Sequence, residues 1–302
     1  MTDSLLLRLR KRVRPRRTLR RLLRRMDRRR AGLPRVLVNG WPRSGTHLLR
    51  RCVSLLPGLA WDGLWVPPGI DRGLATLDMP AESASTEPRP QVLVEFDRVL
   101  SSLSPGEYVM THLRYHPAAV RLIEQRGFRA LLILRDLRDL AVSLAFFIVS
   151  HPEHRQHDYF SRTLRSDDER LLACIVGTDP PPGSSVPRMV NIGTRFQDFR
   201  PWMCVPLNYT TRFERLVGPQ GGGSLEVQCR EIETIARHLR LSLAPAQVES
   251  VAAQLFGQGS STFRRGQIGS WKEHFNEEQK AAFKRVAGRE LIELGYEPSL
   301  DW

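Results

Sequence analysis

The sequence contains few of the residues on which several protein classes depend. Its 302 residues include four cysteines, none of them in a CxxC pair, so neither a disulfide framework nor a cysteine-based zinc site is expected. No run of 18 apolar residues occurs, and the N-terminal segment lacks the uninterrupted apolar stretch of a secretory signal. We therefore expect a cytoplasmic protein with reduced thiols. Lysine is also scarce, with four residues, so arginine is the usual cation.

The positive charge of the chain is concentrated at its N-terminus. The formal net charge is +14, and residues 1–34 carry +12 of it through 14 basic and two acidic residues. The remaining 268 residues hold 32 basic and 30 acidic side chains. A nucleic-acid-binding domain is usually basic over its folded surface. Specific nucleic-acid binding is therefore not expected.

After residue 34, short apolar β-branched runs alternate with helical patterns, which predicts one α/β domain over residues 35–302 with a mostly parallel central sheet flanked by helices. Residues 57–90 and 151–187 are interpreted as irregular, loop-rich segments. The predicted strands are Arg35–Asn39, Glu107–Leu113, Arg129–Asp136 and Val205–Thr210, and helices are predicted after residue 46, at Pro117–Arg126, after residue 136, at Leu225–Leu239 and at Glu277–Leu294.

The first predicted strand runs into the sequence GWPRSGT (residues 40–46) and then into a helix. Such a glycine loop wraps a phosphate, which then faces the N–H groups and dipole of the helix N-terminus. Gly40 and Gly45 have the spacing of a Walker A loop, but Thr46 and His47 occupy its lysine and magnesium-binding positions. The loop therefore favours a phosphate site without ATP hydrolysis or Mg²⁺, with Arg43 as its cation. A purely structural glycine turn is the alternative.

Two further arginine-containing segments are candidates for anion binding. Arg135 stands at the end of the most strand-like segment, where parallel sheets bind ligands, and Ser143 follows about two helical turns later. A surface ion-pair cluster of Arg138 with Asp136 and Asp139 is the alternative there. The second segment, FRRGQIGSWK (residues 263–272), places paired arginines beside a glycine.

Taken together and in this order, these motifs resemble the sulfotransferases that use 3′-phosphoadenosine 5′-phosphosulfate (PAPS). WPRSGTHLL is similar to the family's 5′-phosphosulfate loop, LRDLRDLAVS to its 3′-phosphate element, and FRRGQIGSWKEHF to its C-terminal segment. THL (residues 111–113) is similar to the strand end that carries the family's catalytic histidine. The four matches lie within residues 36–276, and they imply a P-loop NTPase-like fold.

The resemblance implies a role for each matched residue. His112 falls at the position of the catalytic base, which takes a proton from an acceptor hydroxyl or amine during in-line attack on sulfur. Arg43 would stabilise the charge that develops on the sulfuryl oxygens and the leaving phosphate, without a metal. The implied nucleotide-binding residues are Arg43, Ser44, Gly45, Thr46 and His47 for the 5′-phosphosulfate, and Arg135, Ser143, Arg264, Arg265 and Gly266 for the 3′-phosphate.

Several positions depart from the family pattern. Arg43 and Arg265 replace lysines, and a guanidinium is not interchangeable with an ammonium. Met110 stands where a lysine is common before THL, Leu48 replaces the tryptophan that commonly stacks on adenine, and Arg114 replaces a proline. The family's C-terminal dimerisation pattern is not reproduced. These departures leave open a nucleotide-binding protein of the same fold without turnover, and a P-loop nucleotide kinase is a further alternative.

Three remaining features have a structural interpretation beside a functional one. His151, His154 and His157 recur every third residue, but a solvated loop is favoured over a metal site because no shell of Cys or carboxylate partners accompanies them. Gly221–Gly223 is interpreted as a flexible lead into the next helix.

Residues 1–34 form either a basic amphipathic segment that lies on an anionic membrane or a disordered extension, with a mitochondrial transit peptide and polyanion binding as further options. The acceptor is a small molecule, lipid or carbohydrate that the sequence does not identify.

Overall fold

A parallel β-sheet forms the centre of the fold. The computed structural model describes residues 31–61, 63–67, 69–71, 90–180, 183–184, 186–257 and 265–302. Within them, the strands pair in the order β2-β1-β3-β4, and every pair is parallel. The strands are β1 (Arg35–Gly40), β2 (Tyr108–Thr111), β3 (Phe128–Leu134) and β4 (Asn208–Arg212). The predicted α/β domain with a parallel sheet is therefore confirmed.

The strands are short and apolar because helices cover both faces of the sheet. Burying a parallel strand on both sides removes the polar alternation of a half-exposed strand, and all residues of β2 are buried. In β1, Leu37 belongs to a core on one face, whereas Val36 and Val38 belong to a second core on the other. The same alternation places Leu132 in the first core and Leu131 in the second.

Helices connect the strands and form the outer layers. The helices are α1 (Thr46–Leu55), α2 (Pro90–Ser101), α3 (Pro117–Gln125), α4 (Leu137–Ser150), α5 (Asp167–Val176), α6 (Ile192–Gln197), α7 (Phe213–Leu216), α8 (Leu225–His238), α9 (Pro245–Leu255) and α10 (Glu277–Glu293). The second core contains residues of α1 and α7 to α9, and the first contains residues of α2 to α6 and α10. Short 3₁₀ turns occur at Arg200–Cys204, Pro219–Gly221 and Ser270–Glu273, and a π turn at Tyr159–Thr163. Among the residues that the model places, no helix combines the length and the hydropathy needed to cross a bilayer.

Two parts of the secondary structure differ from the prediction. The segment 151–187 contains helix α5, whose N-cap Ser166 accepts a hydrogen bond from the Glu169 amide (3.1 Å) and whose first turn holds three acids. That start signal was present in the sequence but was outweighed by the polar residues and prolines around it. The strand expected at Val205–Thr210 lies at Asn208–Arg212 instead. Val205 belongs to the end of the preceding 3₁₀ turn, because its amide donates a hydrogen bond to the Trp202 carbonyl.

The segments 57–90 and 1–34 are only partly described. Residues 62, 68 and 72–89 of the expected irregular segment, and residues 1–30 of the basic tail, lie outside the described residues. In the described part of the first segment, Ala60 and Trp65 form parallel bridges to Glu107 and Met110. Ala60 and Trp65 therefore lie along the outer edge of β2, and Trp65 lies near the carboxyl end of this strand.

Candidate active site

The loop between β1 and α1 is shaped to receive an anion. Gly45, the N-cap residue of α1, has φ of 106°, and Arg43 has φ of 76°. Gly45 has no side chain with which to cap the helix, so the first amides of α1 have no side-chain acceptor. Uncapped N–H groups together with the helix dipole attract negative charge. The backbone of the loop thus has a shape that suits the predicted phosphate site.

The residues of the loop differ in how their side chains are bonded. A Cβ added to Gly40 would lie 2.5 Å from the Thr46 hydroxyl, so glycine permits the tight turn at the end of β1. The Ser44 hydroxyl is hydrogen-bonded to the Trp41 and Ile133 carbonyls (2.7 and 2.9 Å) and holds the loop on β3. The buried Thr46 hydroxyl, in contrast, has no hydrogen-bond partner among the described residues. An unpaired buried hydroxyl at a helix N-terminus fits a ligand oxygen.

Arg43 reaches across the cavity from the phosphate loop to helix α4. Its Nε donates to the Ser143 Oγ (3.2 Å), and its guanidinium lies 4.4 Å from the centre of the Phe147 ring. Residues 43 and 143 are thus brought together from two predicted motifs that lie 100 positions apart. The contact with Phe147 stabilises the guanidinium in this position.

Arg135 lies at the carboxyl end of β3, as its position in the sequence predicted. It is 7% exposed, its Nη2 donates to the Gln267 carbonyl (2.8 Å), and it lies 3.5 Å from the Asp139 carboxylate. Its guanidinium packs on the Phe213 ring at 4.3 Å. The Arg135 Nε is buried and has no hydrogen-bond partner among the described residues. This orphaned donor fits an anionic ligand such as the 3′-phosphate of a nucleotide.

Asp139 fastens the C-terminal motif to the site. Its carboxylate accepts hydrogen bonds from the Gly269 amide (2.8 Å), the Trp271 amide (2.9 Å) and the Ser270 hydroxyl (3.1 Å). These bonds hold residues 269–271 against α4, which in turn places Gln267 beside Arg135. Asp139 was predicted only as a member of a surface ion-pair cluster, whereas it is 1% exposed and organises the loop.

The expected surface cluster around Arg138 is also buried. Arg138 pairs with Asp136 (2.7 Å) and with Glu297, and it is 2% exposed. Its guanidinium lies between the rings of Trp271 (3.9 Å) and Trp302 (4.4 Å). The expected ion pair of Arg138 with Asp136 is therefore present, but it is buried and does not lie on the surface. Its effect is to anchor residues 297–302 against the start of α4.

The interpretation of Gly221–Gly223 as a flexible lead is wrong. Gly221 is buried, and its carbonyl accepts a hydrogen bond from the Ile268 amide (3.0 Å). A Cβ on Gly221 would lie 2.6 Å from the Gly266 carbonyl and 2.2 Å from a methyl group of Val217. The glycine is needed because two loops approach each other closely here, and the turn supports Gly266 from behind.

The predicted residues at the start of the C-terminal motif have different environments. Gly266 has φ of 63° and faces the cavity. Arg265 also lines the cavity, but it is half exposed and pairs with Glu273 (2.6 Å). Arg264 lies outside the described residues.

His112 is held in one orientation by the end of β1. Its Nδ1 lies 2.6 Å from the Gly40 carbonyl oxygen, which can only accept, so Nδ1 carries the proton and Nε2 retains its lone pair. The Asn39 side chain donates to the Leu113 carbonyl and accepts from the Leu113 amide, both at 2.9 Å. Burial lowers the pKa of His112 below its ordinary value. The hydrogen bond to the Gly40 carbonyl acts in the opposite direction, and the positive charge of Arg43 lowers the pKa further. The ring is therefore neutral and able to accept a proton.

His47 lies near His112 with Trp65 between them. The Trp65 ring centre is 5.8 Å from that of His47 and 5.4 Å from that of His112. Burial lowers the pKa of His47 to about 4, and the positive charge of Arg50 and Arg43 and the proximity of His112 contribute. His47 is thus a neutral side chain at the second position of α1.

One cavity of about 780 Å³ brings most of the predicted residues together. Arginines dominate the charged part of its wall, which suits an anionic ligand. The predicted residues that line it are Arg43, Gly45, Thr46, His47, His112, Arg135, Ser143, Arg265 and Gly266.

Other cavity residues were not assigned a role from the sequence. Trp65 and Phe147 flank His112 and Arg43, and Phe256 lines the cavity together with Leu48 and Val217. Trp65 and Phe256 lie outside the named helices and strands and carry no periodic signal, and the apolar pattern of α4 does not separate a cavity-lining Phe147 from a core residue. Leu48 contributes to the apolar wall at the position where the family commonly has tryptophan. Met110 is fully buried in the core beneath the site.

The three histidines near residue 154 bond to the protein itself. His151 Nδ1 lies 2.9 Å from the Phe147 carbonyl, and His157 Nδ1 lies 3.0 Å from the Ile148 carbonyl. His154 lines the cavity and packs on the Phe147 ring at 5.9 Å. The loop is thus partly packed on α4 and is less solvated than predicted, and the described residues contain no cluster of metal-ligating side chains.

Among known proteins, solved structures are similar to this chain in fold. No protein-family model and no curated protein matches the sequence. Mouse sulfotransferase SULT7A1 complexed with PAP is similar, with a TM-score of 0.57, 14% identity and 87% of each chain covered. Retinol dehydratase is similar in its complex with androsterone and the inactive cofactor PAP, with a TM-score of 0.52, 16% identity, and 86% and 82% of the two chains covered.

A second retinol dehydratase complex, with retinol and PAP, has the same TM-score of 0.52 at 16% identity and covers 90% of this chain and 86% of that one. These likenesses establish the sulfotransferase fold, a P-loop-like α/β domain, for this chain. The predicted fold class is confirmed. At these identities the roles of individual residues follow from the geometry of this chain and not from the comparison.

Proposed function

We propose that this protein transfers a sulfuryl group from PAPS to a hydroxyl or amine of an acceptor molecule. One observation carries the proposal. A single cavity combines an uncapped helix N-terminus, a second anion site around Arg135 and Ser143, and a neutral histidine whose Nε2 retains its lone pair. Two anion sites with a base beside one of them match a nucleotide that carries phosphates at both ends. The sulfotransferase fold agrees with this assignment.

The residues present fit this nucleotide. The buried Thr46 hydroxyl and the Arg135 Nε have no hydrogen-bond partner within the described chain, and a phosphate oxygen satisfies such groups. We assign the α1 N-terminus, Arg43 and Thr46 to the 5′-phosphosulfate. Arg135, Ser143 and Gly266 are assigned to the 3′-phosphate. Bound PAPS supplies an activated sulfuryl group.

The remaining chemistry belongs to the protein's own side chains. His112 Nε2 accepts the proton from the acceptor hydroxyl, while the Gly40 carbonyl holds Nδ1–H and fixes the ring. The guanidinium of Arg43 stabilises negative charge at the phosphate loop. Trp65 and Phe147 exclude water from this part of the cavity.

The other nucleotide chemistries are less well supported. Thr46 occupies the Walker lysine position, and its side chain cannot neutralise a phosphate. A strict requirement for ATP and Mg²⁺ in turnover would favour the kinase alternative. A nucleotide-binding protein without turnover would bind PAP but transfer nothing to any acceptor.

The proposal is tested with the purified full chain. Calorimetry measures PAP binding, and release of PAP from PAPS is followed with a broad panel of hydroxyl and amine acceptors. His112→Gln should bind PAP within about twofold of wild type but lose roughly 10²- to 10⁴-fold in kcat. Absence of PAP binding, or turnover unchanged in His112→Gln, would contradict the proposal.

A matched histidine variant controls for general effects of the substitution. His157 lies in the loop after α4, does not line the cavity and bonds to the Ile148 carbonyl. His157→Gln should retain wild-type kcat. Equal losses in the two variants would point to misfolding and not to a missing base.

The predictions for the tail and for localisation stay predictions. Adsorption of residues 1–34 to an anionic membrane is tested by co-sedimentation of the full chain and of a chain lacking residues 1–34 with phosphatidylserine vesicles. Undiminished sedimentation of the shortened chain would exclude the membrane role. Cytoplasmic localisation and the choice among small-molecule, lipid and carbohydrate acceptors are proposals of the same kind.

A further inference from the structure

Two loops to which no part of the nucleotide is assigned also line the cavity. The loop of residues 153–156 and the loop of residues 187–190 both line it. The two loops are joined because Gln156 Nε2 donates to the Pro187 carbonyl (2.5 Å). The second loop is fixed to the end of α5 by the Thr178 amide, which donates to the Met189 carbonyl (2.7 Å). Since none of the residues of these two loops is assigned to the nucleotide, this part of the cavity wall is left for an acceptor.

Basic side chains outnumber acidic ones in this region. Its acids are Asp71 and Glu153, and Asp71 already accepts a hydrogen bond from the Arg114 amide (3.0 Å). The arginines that line this part of the cavity are Arg114, Arg155, Arg188 and Arg195.

The partners of two of these arginines leave their charge available at the mouth. Arg188 pairs with Asp179 at 2.7 Å, but the side chains are 69% and 78% exposed. Such an exposed pair is worth little and exchanges readily with another anion. Arg155 is exposed, and no ion pair to another described residue involves it.

The other two arginines lie deeper. Arg195 donates to the Cys174 carbonyl (2.9 Å), and its guanidinium lies over the Trp41 ring. Arg114 lies 3.5 Å from the Asp198 carboxylate. Because these two side chains are engaged within the protein, the anion site is assigned to the exposed arginines Arg155 and Arg188.

The same region also offers apolar surface. Trp65 packs beside His112 at 5.4 Å between ring centres, and Phe147 lies under Arg43 at 4.4 Å. Val66, Met189 and Val190 complete the apolar surface. An acceptor that fits both kinds of surface has an apolar body against the aromatic rings and a negative group at the arginines.

We infer that the acceptor is an amphipathic anion: a hydroxyl-bearing apolar molecule that also carries an anionic group, which Arg155 and Arg188 bind at the mouth of the cavity. This inference rests on the proposed sulfuryl transfer and specifies its acceptor. The anionic group has the charge that a guanidinium binds most strongly, through two parallel N–H donors. Arg155 and Arg188 are specificity-determining residues, remote from the reacting atoms.

The test uses matched acceptor pairs that differ only in charge. 4-Hydroxyphenylacetate is compared with 4-hydroxyphenylacetamide, and 6-hydroxyhexanoate with 6-hydroxyhexanamide. Each compound is titrated calorimetrically into the full chain saturated with PAP, and kcat/KM with PAPS is measured in parallel. In at least one pair, the carboxylate should bind about tenfold more tightly than its amide, and the difference should shrink as salt is raised from 0.02 to 0.5 M.

The variant Arg155→Gln/Arg188→Gln should lower the ratio of carboxylate to amide affinity to about one. Its affinity for PAP should stay within twofold of wild type because neither arginine belongs to the proposed nucleotide site. Arg237→Gln/Arg285→Gln is the matched control, since both residues are exposed and lie outside the cavity on α8 and α10. The control removes the same net charge and should keep the wild-type ratio.

The outcomes separate the two levels of the argument. Loss of PAP binding would overturn the proposed function itself. With PAP binding intact, an amide that binds as tightly as its carboxylate overturns the anionic acceptor, as does failure of every probe to bind. A preference that persists in Arg155→Gln/Arg188→Gln, or that falls equally in the control, also overturns it.

Discussion

Arg43 Nε donates to the Ser143 hydroxyl at 3.2 Å and so joins the phosphate loop to helix α4. The resemblance assigned these two residues to opposite ends of the nucleotide, Arg43 to the 5′-phosphosulfate and Ser143 to the 3′-phosphate. Their contact means that the two proposed anion sites share a wall.

Replacing Ser143 by alanine tests which end it serves. We expect Ser143→Ala to weaken PAP about tenfold or more while the affinity for AMP, which lacks the 3′-phosphate, changes less than twofold. The reason is that a hydrogen bond to a charged group contributes roughly 1.5–3 kcal/mol. Calorimetry with both nucleotides measures the effect. Parallel losses for PAP and AMP would instead make Ser143 a support for Arg43, and Ser150→Ala, an exposed serine on the same helix, is the control.

His47 should make folding stability depend on pH. Its folded-state pKa of about 4 lies below the ordinary value of about 6.5, so the unfolded chain binds the extra proton. The stability contribution is therefore complete above pH 6.5 and is lost as the pH falls toward 4. In urea unfolding, wild type should lose about 1 kcal/mol more than His47→Gln between pH 7 and pH 5, after allowance for solvent screening.

Comparing wild type with His47→Gln separates the contribution of His47 from those of other histidines whose pKa values are also lowered. Burial also lowers the pKa values of His112, His154 and His238, and these remain in both proteins. Between pH 7 and pH 8 the two proteins should respond equally, since His47 is neutral there in both states. An identical acid response of the two proteins would show that His47 is not held neutral.

Asp139→Asn should loosen the C-terminal motif. The carboxylate accepts from two amides and one hydroxyl of residues 269–271 and lies beside Arg135. We expect roughly 2–3 kcal/mol of lost unfolding free energy, since charge-assisted buried bonds are weakened, and a tenfold or larger loss of PAP affinity. Denaturant unfolding and calorimetry measure the two effects.

The control for Asp139 is a surface acid. Glu226 pairs with Arg230 on the exposed side of α8 at 3.4 Å. Glu226→Gln should change the unfolding free energy by less than about 0.5 kcal/mol. If Asp139→Asn were equally mild, Asp139 would not be the fastening point of the loop.

Gly221→Ala should disturb the nucleotide site from behind. The added methyl group would meet the Gly266 carbonyl at 2.6 Å and Val217 at 2.2 Å, so one of the two loops must move. We expect a destabilisation of about 1–3 kcal/mol together with weaker PAP binding. Gly69→Ala, where no atom of the residues that the structure describes lies within 4 Å of the new methyl group, should leave both unchanged. Wild-type PAP affinity in Gly221→Ala would refute the supporting role of this turn.

Local signals explain what the sequence revealed about the fold. The apolar runs of β1 and β3 act over a few neighbours, so pattern and composition are sufficient to predict them. Helix α5 was missed although Ser166 and its acids were visible, because the polar and proline-containing sequence around it resembles a loop. The position of β4 was shifted because a 3₁₀ turn around Trp202 uses the residues with the strongest strand pattern.

The sequence by itself determined the α/β fold, the order of its main strands along the chain and the motifs that contain Arg43, His112, Arg135 and Ser143. Arg43, Arg135 and Ser143 stand out by residue type and short spacing, and His112 by the resemblance to the sulfotransferases. Only the tertiary structure decided that Arg43 touches Ser143, that Asp139 holds the C-terminal loop, that Gly221 supports Gly266 and that further arginines line the cavity that contains His112. Each of these brings together residues far apart in the chain, and a single sequence carries no local signal for such a meeting.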